Sequence, residues 1–564
     1  MNKKQKNKNK FIRNRFLFLS LILITSLGLL LSRSFYLQYI EKDYLNTEGE
    51  KRHIKLERIA SNRGNIYDRR STLLAVSTPI YNVVVDPKKF IESKIYSQQI
   101  QILSEILSMN VKGIDSAIKK RPNRRHLIIK KEITDNQIEQ IRSNKWRNYL
   151  YLEKSYKRFN PSGEVTGQFL GFTDLNDRGQ EGLEYMLNDY LVGTDGIKKV
   201  LKDRKQNVVR DLEFLQAAKD GNDIYTSIDL RIQFIAHRAL SNGLKNSKAK
   251  AASAIVLDIR TGEILAMVNQ PSADPNDRSS RQAKYFKNRV VTDQFEPGST
   301  FKPLIVATGI ENKIFSSQDT IDTTPFYIGK KLIGEDNRCS SQKVTPEKIL
   351  VNSCNAGTAR MSLQTESKLF SQMLNNLGVG RVTASGFPGE ASGTLDGNYD
   401  RWRDIRRASL SYGYGVDVTL LQLASIYSVL ANKGIKNHVS IERIEGEPVS
   451  ERVLSEETAK ELLLMLEQVV ENENGVRRAK VNGYRIGGKT GTVQIYSSGY
   501  SNKSHNGIFV GIAPISEPRI VTAVIVNEPG GDQYYGGQVA APIFSSIASA
   551  SLRILGIAPD KVNN

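Results

Sequence analysis

An uncharged run of seventeen residues, FLFLSLILITSLGLLLS at 16–32, constrains this chain more than any other feature. That length is the short end of what crosses a bilayer as a helix. Arg33 can snorkel to the interface, which lets Phe35 and Tyr36 extend the anchor into the headgroup zone. Seven cations and no acid precede the run: Lys3, Lys4, Lys6, Lys8, Lys10, Arg13 and Arg15. Such a flank keeps the N-terminus in the cytoplasm and places everything after residue 40 outside. The competing reading is a cleaved signal peptide. The length of the run, and the lack of an Ala-x-Ala-like site beyond the weak substitutes Ser32 and Ser34, favour an uncleaved anchor. No second run of this kind exists, so a single-pass protein with a large exported part is expected.

The net charge of +21 raises the question of nucleic acid, but seven of those charges sit in the basic tail. The rest is spread thinly, without a basic helix or an aromatic-interleaved basic stripe, so nucleic-acid binding is not expected. At 564 residues the chain can hold two to four domains, and its 39% hydrophobic content is that of a folded protein. Two cysteines, Cys339 and Cys354, exclude a small disulfide framework. One bridge is possible, and two separate core thiols are the favoured expectation. His53, His126, His237, His438 and His505 lack the short spacings of a metal site. Neither metal catalysis nor any cofactor is expected.

Residues 41–222 mix charged helical stretches with short β-like runs such as YNVVVDP (81–87). Two turn-rich stretches, RGNIYDR (63–69) and NPSG (160–163), read by themselves as loops, and the region reads as support. From residue 223 the texture changes. SAIVLDIRTGEILAMV (253–268) predicts an antiparallel hairpin about Arg260-Thr261-Gly262-Glu263. GIFVGIAP (507–514) and RIVTAVIVNEP (519–529) predict two more strands at hairpin spacing. VTLLQLASIYSVLANKG (418–434) predicts a helix ending at Gly434. Strands at both ends with helices between imply one α/β domain whose antiparallel sheet is assembled from distant parts of the chain.

Within that domain, FEPGSTFKPL (295–304) sets Ser299 and Lys302 three residues apart. The spacing alone is a poor witness, because it recurs at Ser116–Lys119, Ser247–Lys250 and Ser340–Lys343. Its surroundings are more telling. A helix that opens at Pro297-Gly298 tolerates Pro303 in its first turn and puts Ser299 Oγ and the Lys302 amine on one face. Free backbone N–H groups at the helix mouth suit an oxyanion beside the serine. To take the serine's proton the amine must be neutral, yet a free lysine titrates near 10.4. Working near neutral pH therefore requires disfavouring the ammonium by about 4 kcal/mol, through burial and a second nearby cation. Lys489-Thr490-Gly491-Thr492, in a strand-like GKTGTVQ, offers that cation and a ligand for a substrate carboxylate. Ser353-Cys354-Asn355 offers a hydroxyl and an amide to relay protons and hold a peptide. Ser-x-Asn recurs elsewhere, whereas Lys-Thr-Gly occurs once. What carries weight is the order Ser-x-x-Lys, Ser-x-Asn, Lys-Thr-Gly, at 299, 353 and 489, which is the motif series of penicillin-binding proteins and serine β-lactamases.

Over nearly all of residues 15–550 the chain resembles a class B penicillin-binding protein. RGNIYDR, KRFNPSGEVTGQFLGFTD and GQEGLEYMLNDYLVGTDG (179–196) are similar to that family's pedestal motifs. SYGYGVDVTLLQLASIYSVLANKG (411–434) resembles the division-type, FtsI-like branch, and YYGGQVAAPIF (534–544) resembles the start of its C-terminal helix. The resemblance implies an α+β penicillin-recognising transpeptidase domain with an antiparallel sheet flanked by helices. Its implied layout is a basic tail at 1–15, an anchor at 16–38, a mixed α/β pedestal at 39–222, the catalytic domain at 223–556 and a tail at 557–564.

It further implies a D,D-transpeptidase of septal peptidoglycan in the bacterial plasma membrane, with stem peptides as substrates and β-lactams as inhibitors. Ser299 would be the nucleophile and Lys302 the base, with Ser353 and Asn355 relaying protons and orienting the peptide. Lys489 and Thr490 would bind the donor carboxylate beside Gly491, and the N–H groups of Ser299 and Thr492 would form the oxyanion hole. A SEDS-class glycosyltransferase is the implied partner. Cys354 replaces the commoner serine or aspartate, with no expected effect on mechanism. Four alternatives remain: an elongation-type transpeptidase, a serine β-lactamase, a β-lactam receptor and a structural divisome component. The pedestal-like region and the lack of an identifiable deacylating carboxylate argue against the lactamase, and the fifteen-residue tail argues against the receptor.

Overall fold

The computed structural model describes residues 3–93, 95–144, 146, 149–202, 208–334, 339, 342–496 and 500–561. The chain divides into two compact units. One comprises Met1–Ser61, Pro79–Ser155 and Thr194–Asp220, the other Asn62–Thr78, Tyr156–Gly193 and Gly221–Asn564.

In the first unit the N-terminal helix Lys3–Phe35 continues through Tyr36–Ile40. Among the described residues, one segment is long and apolar enough to cross a membrane, Lys8–Ile40, and no part of its most apolar stretch is buried. The expected anchor at 16–38 falls inside it. Strand Ile54–Ile59 pairs antiparallel with Gly196–Lys202, which pairs in turn with Val208–Gln216. The VVV of YNVVVDP pairs with 127–130, and Asp86 then caps the short helix Pro87–Ile91 by accepting from the Lys89 N–H at 3.2 Å. Val83, Phe90, Leu103, Ile118, Ile138 and Trp146 make a core of their own.

The second unit is built on one sheet: β1 (Ala251–Asp258), β2 (Ile264–Gln270), β3 (Gly487–Tyr496), β4 (Tyr500–Ala513) and β5 (Ile520–Asn527). Its order is β2-β1-β5-β4-β3, antiparallel throughout. Both expected hairpins are present, and the turn of the first has Gly262 at φ +79°, a conformation that suits a residue without a Cβ. Five helices matter for the site: α1 (Leu230–Ser247), α2 (Lys302–Glu311), α3 (Asn355–Gln364), α4 (Leu420–Ala431) and α5 (Ala541–Ile554). Strand alternation splits the apolar side chains into two cores. Ala254, Val256, Phe509 and Val524 face α1 and α5, whereas Ile255, Leu257, Val510 and Ala523 lie on the opposite face, against α4. With both faces covered, β1 and β5 are buried along almost their whole length.

One sequence-based reading gains a role in the structure and one is corrected. RGNIYDR and NPSG, read by themselves as loops, frame a buried ion network. The Arg63 and Arg158 Nε atoms each lie 2.6 Å from a different oxygen of Glu184, which is fully buried. Cys339 and Cys354 are joined as a disulfide with Cα atoms 5.6 Å apart, not two separate thiols. The short ladder of Ile321–Asp322 with Lys343–Val344, followed by the helix Pro346–Asn352, folds the chain back so that the two meet.

Candidate active site

Ser299 lies in a tight turn, Gly298–Phe301, and α2 begins only at Lys302. The turn is of 3₁₀ type, in which residues i and i+3 eclipse one another, so the Ser299–Lys302 spacing is better aligned than on an α-helix. Pro303 falls in the first turn of α2, where its missing N–H costs little. Ser299 is half-buried, whereas Lys302 is completely buried.

Lys302 Nζ donates to the Ser353 carbonyl and to Ser353 Oγ at 3.3 Å. Lys489 Nζ donates to that same Ser353 Oγ at 3.1 Å. One hydroxyl is therefore shared by two amines that are both buried, Lys489 being 1% exposed. Burial of two amines this close disfavours having both charged, which is the condition the proton-transfer argument demanded. Ser353 itself sits in the left-handed region at φ 60°, ψ 43°, where the helix Pro346–Asn352 ends, and Asn355 is the first residue of α3.

Lys489, Thr490, Gly491 and Thr492 lie on β3, in register with Val510, Phe509, Ile508 and Gly507 of β4. β3 is the outer strand of the sheet, so half of its backbone N–H and C=O groups point away from β4, a ready edge for an extended peptide. Gly491 is where β3 meets the serine turn: a Cβ there would stand 2.9 Å from the Pro297 carbonyl oxygen and 3.1 Å from Thr300 Cγ2. Thr492 Oγ1 accepts from the Gly536 N–H at 3.0 Å, which ties the YYGGQ segment to the same strand. The structure thus brings Lys302, Ser353 and Lys489 into direct contact and sets Gly491 against the turn that carries Ser299. Among the described residues, no group of three or more His, Cys, Asp and Glu side chains is arranged to hold a metal ion.

Three supports had no role in the sequence reading. Tyr427, fully buried on α4, donates its hydroxyl to the Thr300 carbonyl at 2.7 Å, between Ser299 and Lys302. Burial holds its phenol well above the usual range. Glu296 accepts from the Gly415 N–H at 2.8 Å, and the Gly298 N–H donates to the Gly413 carbonyl at 3.0 Å. Burial, and after it the Glu296 carboxylate, pushes the Tyr414 phenol up. The signal for Tyr427 was a lone hydroxyl-bearing aromatic in a mostly apolar helix, which needs a partner when buried.

Residues 252–549 match the penicillin binding protein transpeptidase domain, and residues 58–226 match the penicillin-binding protein dimerisation domain. The chain is 35% identical to the probable peptidoglycan D,D-transpeptidase PenA of Neisseria meningitidis, over 94% of this chain and 91% of the relative. It is 33% identical to the peptidoglycan D,D-transpeptidase FtsI of Escherichia coli, over 99% and 95%. Among solved structures, the transpeptidase domain of Burkholderia pseudomallei penicillin-binding protein 3 is 36% identical, with a TM-score of 0.55, over 60% of this chain and 98% of that one. A peptidoglycan synthetase from Bifidobacterium adolescentis shares the fold at 22% identity, TM-score 0.71, over 91% and 98%. A family domain matched across more than half the chain, with relatives aligned along nearly all of it, makes this chain a class B penicillin-binding protein of the FtsI-like branch.

Proposed function

We propose that this protein is a peptidoglycan D,D-transpeptidase that cross-links stem peptides through a Ser299 acyl-enzyme in septal wall synthesis, and that β-lactams trap it there. The observation that carries the reading is the meeting of two buried amines, Lys302 and Lys489, on the hydroxyl of Ser353.

Ser299 Oγ attacks the carbonyl of the penultimate D-Ala of the donor while its proton passes to neutral Lys302. The N–H groups of Ser299 and Thr492 hold the oxyanion. As the intermediate collapses the C–N bond breaks, and the departing D-Ala amine takes a proton relayed through Ser353. An acceptor amine then attacks the acyl-enzyme and yields its proton to the same relay. The new amide forms, and Ser299 leaves with its hydroxyl restored. Lys489 and Thr490 hold the donor carboxylate, Gly491 lets β3 lie close against the turn that carries Ser299, and Asn355 orients the peptide.

The N-terminus is cytoplasmic in this reading, with the pedestal (39–222) and the catalytic domain (223–556) outside, and a SEDS-class glycosyltransferase is the membrane partner. Intact-mass analysis after penicillin treatment, with peptide mapping, tests the chemistry. One adduct on Ser299, absent from Ser299→Ala, is expected; an adduct on any other residue overturns the assignment.

A further inference from the structure

Lys489 meets Ser353 only if the start of β3 is held in place, and the strand itself does little to hold it. β3 is the outer strand, with a neighbouring strand on one side only, and it opens on Gly487-Gly488, a pair that stiffens a strand poorly. The pairing of β3 with β4 nevertheless continues beyond that end. The Ile515 N–H donates to the Arg485 carbonyl at 3.0 Å. The Asp560 carboxylate then bridges the two chains. One oxygen accepts from the Arg485 N–H at 2.7 Å and the other from the Ser516 N–H at 3.1 Å.

Asp560 is delivered by a clasp that follows α5. Gly556, at φ +67°, turns the chain off the helix, and the Ile557 carbonyl accepts the Tyr484 hydroxyl at 2.6 Å. The Lys561 N–H donates to the Gly483 carbonyl at 3.1 Å, and its amine donates to Glu471 at 2.7 Å. The Arg485 guanidinium forks onto Glu467 at 2.6 and 2.7 Å. Glu467 and Glu471 belong to the helix Glu456–Glu471, which packs against β3, against α2 with its Lys302, and against the helix Pro346–Asn352 that leads to Ser353. One helix thus backs the carriers of all three motifs, and residues 557–561 fasten the start of β3 to it.

We propose that Asp560 is a positioning residue for transpeptidation: by clamping the start of β3 to the end of β4, it sets where Lys489 stands relative to Ser353 and Lys302. The inference rests on the reading of Ser299 as nucleophile and of Lys489 as the amine that binds the donor.

The test uses the full-length protein in detergent and a fluorescent penicillin, resolving the non-covalent constant K from the acylation constant k2, with amide hydrogen exchange on the same samples. Asp560→Ala should lower k2/K about tenfold, with both constants moving, because the displaced amine binds the carboxylate and also faces Ser353. Asp560→Asn, which keeps one acceptor oxygen, should lower it about threefold. Both should speed exchange across 485–490 and leave 251–270 as in the parent. Ile547→Val, a buried change on α5, is the stability control and should melt lower while acylating normally. A k2/K within twofold of the parent in Asp560→Ala overturns the proposal, as does unchanged exchange at 485–490 or an equal loss in Ile547→Val. So does a loss confined to the fraction of active molecules, which marks the clasp as a fold staple only. If Asp560→Ala does not fold, Asp560→Asn decides, and parent-like constants there overturn the proposal. Failure of the parent to label Ser299 would instead sink the transpeptidase reading.

Discussion

Gly491→Ala puts the approach of β3 to the serine turn directly on trial. The added methyl would stand 2.9 Å from the Pro297 oxygen and 3.1 Å from Thr300 Cγ2, both on the segment that flanks and carries Ser299. Carbon atoms settle at about 3.5–4.0 Å, so turn and strand must separate by roughly 0.5 Å. A misplacement of about 1 Å costs on the order of 100-fold in rate, so half that displacement predicts about tenfold. Overpacking costs roughly 1–3 kcal/mol, offset by up to about 1 kcal/mol because alanine restricts the unfolded chain. The expected variant is folded, a few degrees less stable, and about tenfold slower in acylation by a fluorescent penicillin.

Gly511→Ala is the matched control. Its methyl would strike Phe544 on the far face of the sheet, at 2.4 Å, so it should lose at least as much stability while acylating normally. Acylation within twofold of the parent for Gly491→Ala would refute the reasoning, as would an equal loss in Gly511→Ala.

Two further perturbations probe the parts away from the chemistry. Burial raises the Asp177 carboxyl from 3.8 to about 6, against the lowering pull of Arg63 and Arg158. The folded state thus keeps a proton that the unfolded chain has released, and stability falls as pH rises from about 4 to 6 and then levels off. Asp177→Asn, which also suits the left-handed backbone there (φ 62°), should be stabilised by about 1–3 kcal/mol at pH 7.5 and by nothing at pH 4. Equal melting shifts at the two values would contradict this. Glu184→Ala strands the buried guanidinium groups of Arg63 and Arg158, and breaking a buried pair in this way costs about 3–5 kcal/mol. Early cleavage at 156–193 in limited proteolysis should report it, and a parent-like digest would show that the network adds little.

Local signals made much of this architecture legible. The apolar run at 16–32 is the core of the one long apolar helix among the described residues, and turn residues flanking apolar stretches located β1 with β2 and β4 with β5. The α4 helix begins where Thr419 and Gln422 form a capping box and ends just short of Gly434, whose φ is +77°. What escaped depends on contacts between distant residues. Nothing near Cys354 announces Cys339 as its partner, because the meeting depends on the ladder at 321–344. Arg63 in a turn-rich stretch looks solvated until Glu184, 121 residues farther along the chain, meets it. The left-handed Ser353 is equally silent in sequence, since serine is seldom chosen for that conformation.

The distribution of buried residues explains how three remote motifs are held together. Phe301 precedes Lys302, Cys354 separates Ser353 from Asn355, and Val493 follows Thr492, and all three belong to one apolar cluster. Lys302, Ser353, Asn355 and Thr492 are thus chain neighbours of residues locked in the same core. A close-packed core transmits displacement instead of absorbing it, so the relative positions of the motifs are set by side chains that touch no substrate. The hydroxyls of Ser299, Ser353, Thr490 and Thr492 stay half-buried while the two amines are sealed in. That division suits the chemistry. In the proposed reaction, groups that exchange protons or bonds with a peptide must be reached, whereas an amine that is to stay neutral beside a second one must be kept from water.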